Sequence, residues 1–212
     1  MIVQGSDEWR QARLGKLTAS RVADALARTK SGWGASRKTY RTQLVLERRT
    51  GIAAEGYTNR AMQWGTDTEP RARAVYALET LEDVVEVGFV DHPTIPMSGC
   101  SPDGLVGADG LVELKCPESH THLEYILGIE PIPAKYLAQM QWQMACTGRK
   151  WCDYVSFDPR MRDDEQYEVE RIMRNDAIIE EMEKQVREFL AEVDEHMRML
   201  DERAQKRLQK AA

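Results

Sequence analysis

Two short apolar runs folded back on each other constrain this chain more than any other stretch. Residues Ser101-Pro102-Asp103-Gly104-Leu105-Val106 lead into Gly107-Ala108-Asp109-Gly110, and Leu111-Val112-Glu113-Leu114-Lys115-Cys116-Pro117 follows. Leu- and Val-rich runs around an Asp-Gly turn predict a β-hairpin. Side chains alternate across a strand, so Glu113 and Lys115 share one face while Val112 and Leu114 point into a core. Closing the hairpin brings Asp103, where the partner strand begins, back toward Glu113. Two carboxylates then converge beside an ammonium group.

Two hard anionic ligands at one point make a site for a hard cation such as Mg²⁺, which takes oxygen ligands and keeps several waters. A lysine beside such an ion can position a water and help deprotonate it, or neutralise charge as a phosphoryl oxygen is attacked. That is the chemistry of phosphodiester hydrolysis. The competing reading of these residues is a hairpin with mixed surface charges.

Asp103 followed by Glu113-Leu114-Lys115 resembles the Asp, Glu-x-Lys core of the restriction-endonuclease-like nuclease superfamily. The surrounding wording is more specific. Cys100-Ser101-Pro102-Asp103-Gly104, Glu113-Leu114-Lys115-Cys116-Pro117 and Tyr136-Leu137-Ala138-Gln139-Met140-Gln141 are together similar to the phage lambda exonuclease-type family of alkaline exonucleases and viral recombinases. Arg13-Leu14-Gly15, Thr18-Ala19-Ser20, Trp64-Gly65 with Glu69, and Phe157-Asp158-Pro159-Arg160-Met161 extend the match over most of the chain.

The resemblance implies an α/β fold: a restriction-endonuclease-like central mixed β-sheet flanked by helices. It assigns metal ligation to Asp103, Glu113 and the Leu114 carbonyl, with two Mg²⁺ ions, or Mn²⁺, in each site. Lys115 would hold or activate the nucleophile, and Glu69 would complete the acidic wall. A 5′-phosphate pocket would use Arg13, Ser20, Ser101 and Gln139. Arg28 and Lys30 would grip the retained strand, and Met62 would wedge apart the terminal base pair. The family threads duplex DNA through a homotrimeric ring, digests the 5′-phosphorylated strand to mononucleotides, and leaves a 3′ overhang for a single-strand-annealing recombinase. Taken alone, Glu69 also reads as a solvated helix carboxylate, Met62 as a core methionine, and Arg13, Ser20, Ser101 and Gln139 as ordinary helix, cap and turn residues.

Length and composition agree with one nuclease domain over 1–212: a helical basic part at 1–80, a catalytic sheet core at 81–160 and a C-terminal helix at 175–212. No apolar run approaches a membrane span, and the first residues lack an apolar signal core, so a cytoplasmic protein of a bacterial or phage-infected cell is expected. Cys100, Cys116, Cys146 and Cys152 lack metal-site spacing and read as buried thiols, not an iron–sulfur set. Residues 1–49 hold 11 Lys/Arg against 4 Asp/Glu, a balance of +7 that leaves −13 elsewhere for the total of −6. Such a basic segment can face phosphates even on an acidic protein. P-loop and Rossmann glycine patterns are absent, which argues against an ATP-driven motor or a dinucleotide enzyme.

Along the chain, Ser6 caps a first helix closed near Gly15, and a second begins at Thr18 or Ser20. Arg28 to Gly34 reads as a flexible basic loop, and a third helix spans Ser36 to Thr50. Asn59 to Thr80 reads as a helix kinked or restarted at Pro70. Val84 to Val90 alternates as one strand. A short helix covers Leu123 to Leu127. The next, from Pro133 through Met144, carries a stripe of Lys135, Gln139 and Trp142 that could face the site. Lys150 to Phe157 is a strand. From Ala177, apolar residues Ile178, Met182, Val186, Phe189, Val193, Met197 and Leu200 mark an amphipathic helix whose end frays.

Two rivals to the exonuclease keep the same residues. One is a restriction-type or structure-specific endonuclease, which would cut closed circular duplex. The other is a non-catalytic DNA-end-binding module, against which the intact Asp103, Glu113 and Lys115 argue.

Overall fold

The structure, a computed structural model, describes residues 2–54 and 60–211. In chain order its elements are α1 (Asp7–Arg13), β1 (Leu17–Thr18), a 3-10 turn (Ala19–Arg21), α2 (Val22–Ala25), β2 (Arg28–Thr29), β3 (Gly32–Trp33), α3 (Ala35–Thr50) and α4 (Arg60–Thr80). There follow β4 (Val84–Val85), β5 (Val90–Asp91), β6 (Ser98–Cys100), β7 (Gly104–Val106), β8 (Gly110–Lys115), α5 (Ser119–Ile126), α6 (Ala134–Thr147), β9 (Trp151–Phe157), β10 (Tyr167–Met173) and α7 (Asp176–Ala211).

The main sheet is mixed, in the order β10-β9-β8-β7-β4, with β8 and β9 its parallel pair. Parallel neighbours need a long crossover, and α5 and α6 supply it. A smaller sheet orders β1-β6-β5. This is the expected α/β architecture of a central mixed sheet flanked by helices with a long C-terminal helix.

Period-two alternation along β8 sets the layers. Leu111 packs with Met140 and Met144 of α6, whereas Val112 and Leu114 pack with Ala72 and Tyr76 of α4. The two helices therefore cover opposite faces of the sheet, and Glu113, in step with Leu111, points toward α6. The hairpin turn is tight because Gly110 lets Trp151 close over it: a Cβ there would lie 2.1 Å from the indole ring. A third core joins α2, α3, α6 and α7, with Tyr40 and Phe189 stacked at 5.5 Å.

Several expectations are corrected. The strand foreseen from Val84 to Val90 is two short strands in different sheets, with a bend in which Gly88 leaves only 2.6 Å between a notional Cβ and the Ile2 carbonyl. The loop from Arg28 to Gly34 contains a hairpin, pinned by the Arg28 guanidinium 3.9 Å from the Trp33 ring centre. Helix α4 runs through Pro70 as one element, without a restart; Asn59, where it was expected to begin, lies outside the described residues. Strand β10 was not anticipated: charged residues interrupt its alternation of Tyr167, Val169 and Met173, and as an edge strand it buries none of its side chains fully. On α7 the inward stripe starts at Ile179, while Ile178 is exposed, and the helix spans Asp176–Ala211.

The basic N-terminal third is also less available than its charge implies. Glu192 of α7 pairs with Arg37 and Arg41, Asp194 with Arg48, and Asp201 with Arg49. Arg10, Lys16 and Arg21 are paired with Asp7, Asp91 and Asp24. Among residues 1–49 that are described, Arg13, Arg28, Lys30 and Lys38 are the cations without an ion pair. No helix among the described residues is long and apolar enough to cross a membrane.

Burial alone would raise the Glu192 carboxyl, but the Arg37 and Arg41 guanidiniums outweigh it and hold the group below its ordinary 4.5. Replacing Glu192 by Ala leaves the Arg37 guanidinium, at 1% exposure, without its counter-ion. Glu192→Ala should cost about 3 kcal/mol of unfolding free energy, read by urea denaturation. In the parent this contribution is complete above the ordinary carboxyl value and is lost as pH falls through the depressed one. A variant with parental stability and parental acid sensitivity would show that the clamp does not hold α7 to α3.

Candidate active site

The site grows from the register of one hairpin. Gly104 pairs with Val112 and Leu105 with Leu111, so Asp103, one step before β7, comes opposite Glu113. Its Oδ2 accepts the Leu114 N–H at 2.7 Å. Glu113 has no solvent exposure, and a buried carboxylate persists only when its oxygens are met by donors. Lys115, on the same face of β8, donates to Oε1. Helix α6 lies across that face and sends Gln139 Nε2 to Oε1 and Gln143 Nε2 to Oε2, each at 2.6 Å. Residues four apart share one side of a helix, so both amides reach the same carboxylate.

The charges here are not balanced. Burial raises the Asp103 carboxyl well above its ordinary value, the Glu113 and Glu69 charges add to the rise, and Lys115 opposes it. Burial would lower the Lys115 ammonium, but Glu113 and Asp103 override it and the net shift is upward, so the group stays protonated. Glu69, on α4, is raised by burial, with Arg73 and Lys115 pulling it back. Arg73 donates to Glu69 Oε1 at 2.6 Å and to the Asp103 carbonyl at 3.3 Å. The Cys116 thiol beside the cluster is pushed up to about 12 by burial and is no nucleophile at neutral pH.

This donor set suits a hard cation. A carboxylate offers about four lone-pair positions; Lys115 and Gln139 meet Oε1 of Glu113 and Gln143 meets Oε2, so an acceptor position stays open on Oε2. Asp103 accepts on Oδ2 and, among the described residues, shows no partner on Oδ1. A positive ion would relieve the mutual repulsion that raises Asp103. Among the described residues no group of three or more His, Cys, Asp or Glu side chains forms a metal cage. The carboxylates that meet here are Asp103 and Glu113, and Glu69 stands beside them on Arg73.

The candidates for a 5′-phosphate pocket are only partly gathered. Arg13 stacks on Trp9 at 3.9 Å, and Trp9 Nε1–H donates to Ser101 Oγ at 2.9 Å; Ser101 lies two residues before Asp103. Burial lowers the Arg13 guanidinium from its ordinary value. Ser20 lies 3.4 Å from the Thr18 hydroxyl on the 3-10 turn, which packs against α6. Gln139 is instead bonded to Glu113. Arg28 and Lys30 sit on the β2–β3 hairpin, and no hydrogen bond or ion pair among the described residues links them to the carboxylates. Met62 is exposed on α4. It borders a cleft of about 830 Å³ that also exposes Glu69, Leu114 and Lys115.

Sequence reasoning missed Gln143, Trp9, Arg73 and Tyr136. Of the expected site-facing stripe of Lys135, Gln139 and Trp142, Gln139 reaches Glu113 and Lys135 lines the cleft, whereas Trp142 turns away and Tyr136 and Gln143 face the site. Trp142 is buried in the core, stacked on His92 at 4.9 Å. The spacing of Gln139 and Gln143 was the available signal.

The model of the YqaJ-like viral recombinase domain matches residues 8–150. The chain is similar in structure to an alkaline exonuclease, LHK-Exo, from Laribacter hongkongensis, at 53% identity over 95% of this chain and 99% of that one, with a TM-score of 0.87. The complex of LHK-Exo with dAMP matches at 53% identity over the same 95% and 99%, with a TM-score of 0.88. A phage related exonuclease from Haemophilus somnus 129PT shares the fold at 14% identity over 87% and 96% of the two chains, TM-score 0.72. No curated protein matches this chain.

If Gln143 fixes the ligand face of Glu113, Gln143→Met should weaken Mn²⁺ binding by about 10- to 100-fold, measured by calorimetry, while the fold is retained. Unchanged affinity would make the amide a packing group only.

Proposed function

The chain belongs to the YqaJ-like viral recombinase domain family, and from that premise we propose that it is a metal-dependent 5′-to-3′ DNA exonuclease acting on duplex with 5′-phosphorylated ends. The observation that carries the reading is the meeting of Asp103, Glu113 and Lys115 around one point. The similarity to an alkaline exonuclease at 53% identity supports DNA as the substrate. Asp103, Glu113 and the Leu114 carbonyl would hold Mg²⁺ or Mn²⁺, and a second ion would draw on Glu69. When bound, such ions supply charge stabilisation for phosphoryl oxygens and for the leaving oxygen.

The chain's own groups do the rest. Lys115, kept as an ammonium, orients a water and offsets charge on the phosphoryl oxygens. Gln139 and Gln143 hold Glu113 in one orientation. Water attacks phosphorus, the bond from phosphorus to the 3′ oxygen of the terminal nucleotide breaks, and that oxygen leaves with a proton. The remaining strand then begins with a new 5′-phosphate, the group that Arg13 and Ser101 are suited to bind. Each cycle thereby creates the end required by the next.

A homotrimeric ring around the duplex and an annealing recombinase that takes up the 3′ strand complete the proposal. Arg28 and Lys30, whose charges are not spent on carboxylates among the described residues, suit the retained strand, and Met62 at the cleft edge suits a wedge. An endonuclease built on the same residues would not need an end, which separates the two.

Linear duplex with 5′-phosphate should be digested only with divalent metal, 5′-hydroxyl ends far more slowly, and closed circles not at all. Lys115→Met should slow phosphate-end digestion about 10²- to 10³-fold. Arg13→Ala should reduce the preference for phosphate over hydroxyl ends by about 10- to 100-fold. Cutting of circles, or equal rates on the two ends, would remove the end-dependent mechanism.

A further inference from the structure

Beyond the carboxylates the cleft continues along α5 and the start of α6 into an aromatic annex. Tyr136 is its half-buried wall. The Lys115 ammonium lies over that ring, 5.0 Å from its centre, and the exposed Lys135 side chain, which a base would displace, lies over it at 4.7 Å. Behind it Tyr154 lies at 6.1 Å, ring planes 30° apart, and Tyr125 meets Tyr154 edge-on at 5.4 Å. The Tyr125 hydroxyl is tied to Glu170 at 3.3 Å, and Tyr154 is buried. Two rings are therefore fixed, and Tyr136 is the one with surface to offer. Lys135 is exposed and makes no ion pair among the described residues. Glu124 and Glu130 border the annex at the Tyr125 side.

The geometry points to a nucleotide subsite: Tyr136 stacks on the base adjoining the scissile phosphate, and Lys135 pairs with the phosphate next along the strand. This rests on the exonuclease reading and deepens it. A flat neutral group suits an aromatic wall, and every base offers a π-face regardless of sequence. The lysines favour phosphates at the Tyr136 end, while Glu124 and Glu130 disfavour them at the other, so the base and not the backbone would turn inward. Continuity with Lys115, which borders both the cluster and the annex, sets the occupant one nucleoside from the reacting phosphorus.

The test compares linear 5′-phosphorylated duplexes that carry either natural nucleotides or an abasic residue at the terminal or the second position. Tyr136→Leu should lower kcat/KM on natural DNA by about 5- to 100-fold, and Tyr136→Phe, which keeps the ring, should stay within about twofold of the parent. At one of the two abasic positions the parent should fall to the level of Tyr136→Leu, with no further loss from the substitution. Equal losses on natural DNA and at both abasic positions would mean general distortion and overturn the stacking, as would no loss on natural DNA. Lys135→Ala should reduce the slope of log affinity against log salt by about 0.9, one phosphate contact; an unchanged slope removes the lysine from the subsite. A parent that digests none of the duplexes in Mg²⁺ would remove the exonuclease reading and this subsite with it, a result distinct from a base-independent Tyr136.

Discussion

A carboxylate with no contact with solvent has to be compensated from within the protein, and Glu113 is such a group. An unpaired charge at that depth would cost several kcal/mol. The requirement is met by one strand and one helix. Lys115 comes from β8 itself, and α6 must lie across the strand at the rotation that aims Gln139 and Gln143 inward. Once α6 is so placed, its remaining faces are committed. Met140 and Met144 fill the core against Leu111, and Trp142 stacks on His92 in the neighbouring core. The same carboxylate thus fixes the chemistry of the site and the seating of the helix that joins two cores.

Three carboxylates, Asp103, Glu113 and Glu69, share the field of one lysine. Arg73 does not redress the balance at the reacting point, since it is spread over Glu69, Glu86 and the Asp103 carbonyl. The site is left acidic, and a phosphodiester would be repelled from it until a cation offsets the excess. A lysine held in its ammonium form has a proton to donate and no lone pair with which to act as a general base. On the proposed reading, that excess of negative charge is what would draw a cation in ahead of an anionic substrate.

The parts of the fold that follow from period-two alternation were legible in the sequence. Asp103, Glu113 and Lys115 could be brought together from the hairpin alone, because strand parity and a short turn leave little freedom. Helix α3 and the long amphipathic α7 were legible for the same reason at period 3.6. What could not be read depended on partners distant in the chain. Gln143 looks like any polar helix residue until Glu113 is beneath it. Trp9 acquires a polar role only because Ser101, 92 positions away, accepts from its indole. Pro70 is a helix breaker by local rules, yet α4 is held against the sheet by Ala72 and Tyr76 just beyond it, and tertiary packing overrides the local cost.

Charge is the property that segment counting describes least well. The surplus of the first 49 residues and the deficit of the rest are not independent, because Glu192, Asp194 and Asp201 belong to the acidic remainder and are bound to Arg37, Arg41, Arg48 and Arg49. Those arginines attach α7 to the domain, and Arg37, packed between Trp33 and Phe189, cannot also face a phosphate. Among the described residues the cations without an ion pair are scattered over separate elements, among them Arg13 on α1, Arg28 and Lys30 on the hairpin, Lys38 on α3, Arg60 and Arg71 on α4, Lys135 on α6, and several more on α7. Sequence-independent affinity scales with the number of phosphates neutralised on one face, so cations divided among separate elements of one chain would each add little. Strong retention of a duplex would then have to come from several copies acting together or from topological enclosure, and a ring satisfies both conditions.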